Sequence, residues 1–141
     1  MSPYQIVLAD DHALLRESLK KILEENSDLE VIGEASNGLE LLNLLNLSKL
    51  NPEMIILDIS MPNLNGIEAT RKIKGIYPDM KILILTIHND REYLQLAISS
   101  GAEGYLLKED MHIELFSAIE KIRQGEVYVS PLLQDIELNT E

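Results

Sequence analysis

Four short apolar runs in this chain each end on a chemically active side chain. Ile6-Val7-Leu8-Ala9 runs into Asp10-Asp11, Met54-Ile55-Ile56-Leu57 into Asp58, Ile82-Leu83-Ile84-Leu85 into Thr86, and Gly104-Tyr105-Leu106-Leu107 into Lys108. Runs of this length, apolar throughout and bounded by polar residues, read as strands covered on both faces, the signature of a parallel sheet. In an open parallel sheet, ligands bind beyond the carboxyl ends of the strands. Three carboxylates, a hydroxyl and an ammonium are therefore expected at one edge of one sheet.

The segments between the runs carry helical spacing. Asp11 is a candidate cap for a helix with Leu15, Leu19, Ile22 and Leu23 facing inward. A further strand is expected near Glu30 to Ala35, and a leucine-rich helix from Asn37-Gly38 to about Lys49. Ser60-Met61-Pro62-Asn63-Leu64-Asn65-Gly66 is rich in turn formers, and a helix from about Ile67 carries Ile73 and Ile76. Asn89-Asp90 starts a helix with Leu94, Ala97 and Ile98 on one side, which Gly101 ends. Asp110 is a candidate cap for a last helix showing Leu115, Phe116, Ile119 and Ile122, which Gly125 ends. Five strands alternate with five helices. The fold class is α/β, a three-layer αβα arrangement with helices on both faces of a five-stranded parallel sheet.

Composition excludes several function classes. The 141 residues suit one domain, and the absence of cysteine removes disulfides and thiolate metal sites. His12, His88 and His112 do not form a zinc-ligand pattern. The formal net charge of −12 repels nucleic-acid phosphates, so DNA binding by this chain alone is not expected. Part of that charge suits a clustered cation site, and most of it suits a solvated acidic surface. Met-Ser-Pro-Tyr lacks the basic start and apolar stretch of a signal peptide, and no run reaches membrane-spanning length. The expectation is a cytoplasmic protein without a membrane segment.

If the first and third strands are neighbours, Asp10, Asp11 and Asp58 crowd together, which raises at least one carboxyl pKa unless a cation intervenes. Mg²⁺ takes oxygen ligands, retains water, and suits a few carboxylates plus a phosphate oxygen. Carboxylates also act as nucleophiles that form aspartyl-phosphates. Lys108 would supply charge and Thr86 a hydroxyl to phosphoryl oxygens. The set suits phosphoryl transfer to a carboxylate. Taken singly, each residue has an ordinary structural reading: Asp11 as a helix cap, Thr86 as a satisfied strand-end hydroxyl, Lys108 as a solvated lysine, Tyr105 as half-buried core, His88 as a loop residue. The joint placement on successive strand ends is what carries weight.

From about Tyr4 to Gly125 the chain resembles a response-regulator receiver domain, the CheY-like fold of two-component signalling. Asp10-Asp11, Asp58 with Met61-Pro62 and Gly66, then Thr86 and Lys108, follow that family's pattern in order and spacing. The resemblance implies a strand order 2-1-3-4-5, Asp58 as phosphoacceptor, and phosphoryl transfer from a histidine kinase. It also implies a Mg²⁺ site made by Asp11, Asp58 and the backbone carbonyl of Ser60, with Asp10 acting largely through water. Thr86 and Lys108 would hold phosphoryl oxygens, and Tyr105 would be the switch aromatic that turns inward as Thr86 moves. Such a protein catalyses only its own phosphorylation and dephosphorylation and is not otherwise an enzyme.

Leu8-Ala9-Asp10-Asp11-His12, Gly101 to Lys108 and Gly125 to Pro131 resemble the LuxR/FixJ-type subfamily of transcriptional regulators. This implies a helix-turn-helix domain beyond Glu141, dimerisation on phosphorylation, and DNA contact through that domain alone. Residues 1–125 are expected to form the receiver and 126–141 a tail or the start of a linker. Glu109 follows Lys108 where most receivers have a proline on a cis bond, and a non-proline cis bond costs roughly 2.5–4 kcal/mol, so the geometry of that loop is open. Ile87 follows Thr86 where a small residue is common, and is expected to narrow access to Asp58. Ser60 and His88 stand two residues past Asp58 and Thr86, flanking the path of hydrolytic water or simply facing solvent.

Two rival readings remain: a haloacid-dehalogenase-type phosphatase and a non-phosphorylated, receiver-like interaction module. The first calls for an acid two residues after the nucleophile, where Ser60 stands. A flavin carrier of the same topology is excluded, because Asp-Asp-His-Ala after the first strand is no phosphate cradle.

Overall fold

The computed structural model describes residues 3–47 and 50–133. The expected helix end at Lys49, the first two residues and the tail beyond Leu133 lie outside them. Strand β1 (Tyr4–Ala9) leads to helix α1 (Ala13–Glu24), then β2 (Leu29–Ala35), α2 (Gly38–Leu47), β3 (Met54–Leu57), α3 (Gly66–Ile76), β4 (Lys81–Thr86), α4 (Arg91–Ser99), β5 (Gly104–Leu107), α5 (Met111–Arg123) and β6 (Tyr128–Val129). All pairings are parallel, in the order β2-β1-β3-β4-β5-β6. The three-layer architecture is the expected one, with one strand more than the sequence suggested.

Strand periodicity divides the core. Val7, Ala9, Ile55, Leu57, Ile82, Ile84, Tyr105 and Leu107 belong to one buried cluster with residues of α2, α3 and α4. Their neighbours Ile6, Leu8, Met54, Ile56, Leu83, Leu85 and Leu106 belong to a second with α1 and α5. Successive side chains of a strand point to opposite faces, so an apolar run without alternation fills both layers. β2 lies at the sheet edge, and its exposed Glu30 and Glu34 follow from that position.

Several local expectations change. His12, not Asp11, occupies the N-cap of α1, and neither it nor Asp90 or Asp110 caps its helix through a side chain. Asn65 does so for α3, accepting from the Glu68 amide at 2.9 Å. Phe116 and Ile76, read as part of apolar faces, are exposed, as is Leu47. The Lys108–Glu109 peptide is trans, and Lys108–Asp110 form a 3-10 turn that runs into α5.

The sixth strand corrects the five-stranded sheet, and it lies within residues 126–141, expected as a tail or the start of a linker. Tyr128–Val129 pairs with the outer edge of β5, with the Tyr128 amide on the Glu103 carbonyl and the Ser130 amide on the Tyr105 carbonyl, both at 2.9 Å. Ser130 is buried and its Oγ accepts from the Leu107 amide at 2.8 Å. Pro131–Leu133 then turns so that Leu133 enters the core. A two-residue strand has no periodicity to detect. It forms because an uncovered β5 edge would leave amides and carbonyls unpaired.

Candidate functional site

The strand order sets the site. β1 and β3 are neighbours, the Asp58 amide donates to the Ala9 carbonyl at 3.0 Å, and Asp10 and Asp58 emerge side by side. Gly66, at the start of α3, lies under this edge; a Cβ there would sit far inside van der Waals contact distance of the Asp58 carbonyl oxygen. Only glycine lets the helix start approach the strand end so closely.

Lys108 reaches from the end of β5 to both carboxylates. Its Nζ lies 3.1 Å from Asp10 Oδ2 and 3.2 Å from Asp58 Oδ2. Asp10 and Asp58 are each 5% exposed. Among the described residues, Asp58 Oδ1 is buried without a hydrogen-bond partner of normal geometry. Burial pushes the Asp58 carboxyl above its ordinary pKa, Lys108 opposes this, and Asp10 adds to it. The expectation that crowded carboxylates raise a pKa holds here, although loss of water outweighs the like charge.

Asp11 is exposed, and Asp10, Asp11 and His12 each offer a ligand atom within 4.8 Å of the others. His12 was not singled out, since histidine spacing across the chain revealed nothing. A hard cation such as Mg²⁺ prefers the carboxylate oxygens to its imidazole. Asp58, whose Oδ1 is buried without a hydrogen-bond partner among the described residues, stands with Asp10 around Lys108 and fits such an ion, whereas Asp11 groups with Asp10 and His12.

Thr86 is fully buried, and its Oγ1 accepts from the His88 amide at 3.2 Å. Tyr105 is fully buried as well and donates its hydroxyl to the His88 carbonyl at 2.8 Å. Both residues therefore meet at one peptide-rich loop after β4. Burial also holds the Tyr105 phenol well above its ordinary pKa, so it stays a donor. Ser60 Oγ lies 2.8 Å from His88 Nε2, and the imidazole stacks on Tyr93 of α4 with centroids 4.3 Å apart. Ile87, between Thr86 and His88, is exposed. Sequence reasoning missed Arg16, whose guanidinium binds the Asp10 carbonyl and Glu34. Its only signal was a basic residue one turn into α1.

Residues 6–120 match the family described as the response regulator receiver domain. The chain belongs to this family. The receiver is 42% identical over 127 residues to the transcriptional regulatory protein DegU of Brevibacillus brevis, covering 90% of this chain and 53% of that protein. The crystal structure of a LuxR-family two-component response regulator from Aurantimonas sp. SI85-9A1 superposes with a TM-score of 0.88 at 33% identity, over 95% of this receiver and 94% of that chain. The isolated receiver of RcsB from Salmonella enterica serovar Typhimurium, determined with the phosphomimetic BeF3⁻, gives 0.86 at 28% identity, over 95% and 98%. The receiver is thus of the LuxR-family type found in these regulators, and the chain spans about half the length of the curated relatives it matches. Among the described residues no helix is long and apolar enough to cross a membrane.

Proposed function

We propose that Asp58 is the phosphoacceptor of a two-component switch, taking its phosphoryl group from a phosphohistidine on a histidine kinase. One observation carries this: a buried carboxylate at the sheet edge with one oxygen held by Lys108 and the other, among the described residues, buried without a hydrogen-bond partner of normal geometry. In the transfer a bond forms between an Asp58 oxygen and phosphorus while the donor's P–N bond breaks. Lys108 moves from the carboxylate pair to a phosphoryl oxygen, and the Thr86 hydroxyl offers a second donor. Asp10, Asp11, Asp58 and the Ser60 carbonyl would hold Mg²⁺, which supplies neutralisation of the charge that develops.

The signal would leave through the loop after β4. A Thr86 hydroxyl drawn to the phosphoryl group gives up the amide of His88, the residue whose carbonyl anchors Tyr105. Two arrangements differing by a few kcal/mol suffice for control. The output would be dimerisation and regulation of a helix-turn-helix domain beyond this segment, in the cytoplasm, with DNA contacted by that domain alone. The receiver's own chemistry would be limited to gaining and losing the phosphoryl group.

Intact mass after incubation with acetyl phosphate and Mg²⁺ tests the assignment. A phosphoryl adduct is expected on the wild type and not on Asp58→Ala; equal labelling of both refutes it. The Ser60–His88 hydrogen bond would tune the lifetime of the adduct by closing the side from which water approaches. Ser60→Ala and His88→Ala are each expected to change the dephosphorylation rate several-fold, and an unchanged rate in both overturns that role.

A further inference from the structure

We infer that Arg16 is a positioning residue for the acidic pair, acting on the peptide that joins Asp10 to Asp11. The inference rests on the proposed Mg²⁺ site. Arg16 Nη1 donates to the backbone carbonyl of Asp10, and Nε donates to Glu34 Oε1 at 3.1 Å. The peptide unit is planar, so a hydrogen bond to the Asp10 carbonyl also fixes the Asp11 amide and the direction in which Asp11 leaves the strand. The other handles on Asp10 are already taken. Its amide donates to the Ala35 carbonyl at 3.0 Å, Oδ1 accepts from the His12 amide at 2.8 Å, and Oδ2 faces Lys108. Among the described residues Asp11 has no comparable anchor: it is exposed and meets the His12 imidazole at 4.0 Å.

A cation beside a cation site would ordinarily be unfavourable. Here Glu34 lies against the guanidinium and offsets part of its charge, although Glu34 also pairs with Lys20, whose Nζ is 3.8 Å from its other oxygen. The Arg16 side chain is 17% exposed, and it borders the crevice that Asp10 and Asp58 also line. What remains is geometry. The planar fork serves the Asp10 carbonyl just past β1 and a carboxylate of β2 together, which ties the edge strand, α1 and the acidic loop into one unit. A lysine ammonium is a point charge without that fork. Groups behind the ligands commonly govern metal affinity in this way, with changes of about 10–100-fold when they are removed.

The alternatives predict opposite signs. If Arg16 acts only through its charge, its removal tightens Mg²⁺ binding. If it positions the acids, its removal weakens binding. Mg²⁺ titrations followed by calorimetry and by the amide resonances of Asp10, Asp11 and His12 decide between them, on wild type, Arg16→Met and Arg16→Lys. Arg16→Met keeps an apolar stem, and Arg16→Lys keeps both stem and charge, so the lysine variant carries the test if the methionine variant fails to fold. Both are expected to raise the Mg²⁺ dissociation constant, Arg16→Met about tenfold and Arg16→Lys by a smaller factor that stays clearly above wild type. Unchanged or tighter binding in Arg16→Met, or full recovery in Arg16→Lys, overturns the inference. Wild type that binds no Mg²⁺ would overturn the metal site itself and this inference with it. Wild type that binds while the variants bind equally well overturns the positioning role alone.

Discussion

At Asp58 two effects act against each other. Lys108 favours the carboxylate, yet loss of water favours the neutral acid and prevails. A carboxyl whose folded pKa is raised destabilises the fold where it is ionised. The penalty is absent below the ordinary carboxylate pKa and fully present above the raised one. Asp58→Asn removes it. In the absence of divalent cations, the variant is expected to be more stable than wild type at pH 7. The difference should shrink as pH falls through the carboxylate range. Urea unfolding at pH 7 and pH 4 checks this, and a wild type more stable than Asp58→Asn at pH 7 would show that the Lys108 ion pair dominates. The acids, Thr86 and Lys108 were legible as candidates because each ends an apolar run. Which charges touch was not, since Lys108 and Asp58 are fifty positions apart and meet only through the sheet.

At the scale of elements, β6 makes the largest difference. Ser130 Oγ serves the amide of Leu107, the residue before Lys108, while the Ser130 amide serves the carbonyl of Tyr105. The chain leaving the receiver is thereby stitched to the strand that carries both the ammonium and the inward aromatic. Ser130→Ala leaves the Leu107 amide buried without a partner, which costs about 1–3 kcal/mol. Urea unfolding should show that loss, and hydrogen exchange at Leu107 should accelerate. An unchanged midpoint would mean the amide finds another acceptor. Gly125 ends α5 with φ of +88°, as its sequence position suggested. The strand after it escaped notice because two residues have no period, and because pairing to a free edge is a property of β5 rather than of Tyr128-Val129. The helix caps show a related limit. An Asp before a helix reads as a cap, but Asp10 and Asp58 are held at the sheet edge by Lys108, and Asp11 and Asp90 stand beside helices that no side chain caps.

At the scale of the molecule, the sheet edge concentrates uncompensated negative charge, so a bound cation should stabilise the fold. A ligand that binds only the folded state adds about 2.7 kcal/mol at one hundred times its dissociation constant. Mg²⁺ at such a level should raise the thermal midpoint of wild type by several degrees, and much less in Asp58→Ala. An equal shift in both would point to diffuse screening of the −12 net charge instead.

Apolar runs with active side chains at their ends, set between helical spacings, were enough to determine an αβα sheet with its chemistry at one edge. Those patterns are local: burial on both faces removes alternation, and strand ends are marked by the first polar residue. The tertiary structure alone decided that Arg16 reaches behind the acidic pair, that Thr86 and Tyr105 both bond the backbone of His88, and that a sixth strand covers the edge of β5. Each of these depends on hydrogen-bond partners brought together by strand order. Such partners carry no periodic signature, and their pairing is set by how the assembled sheet brings distant groups within about 3 Å of one another.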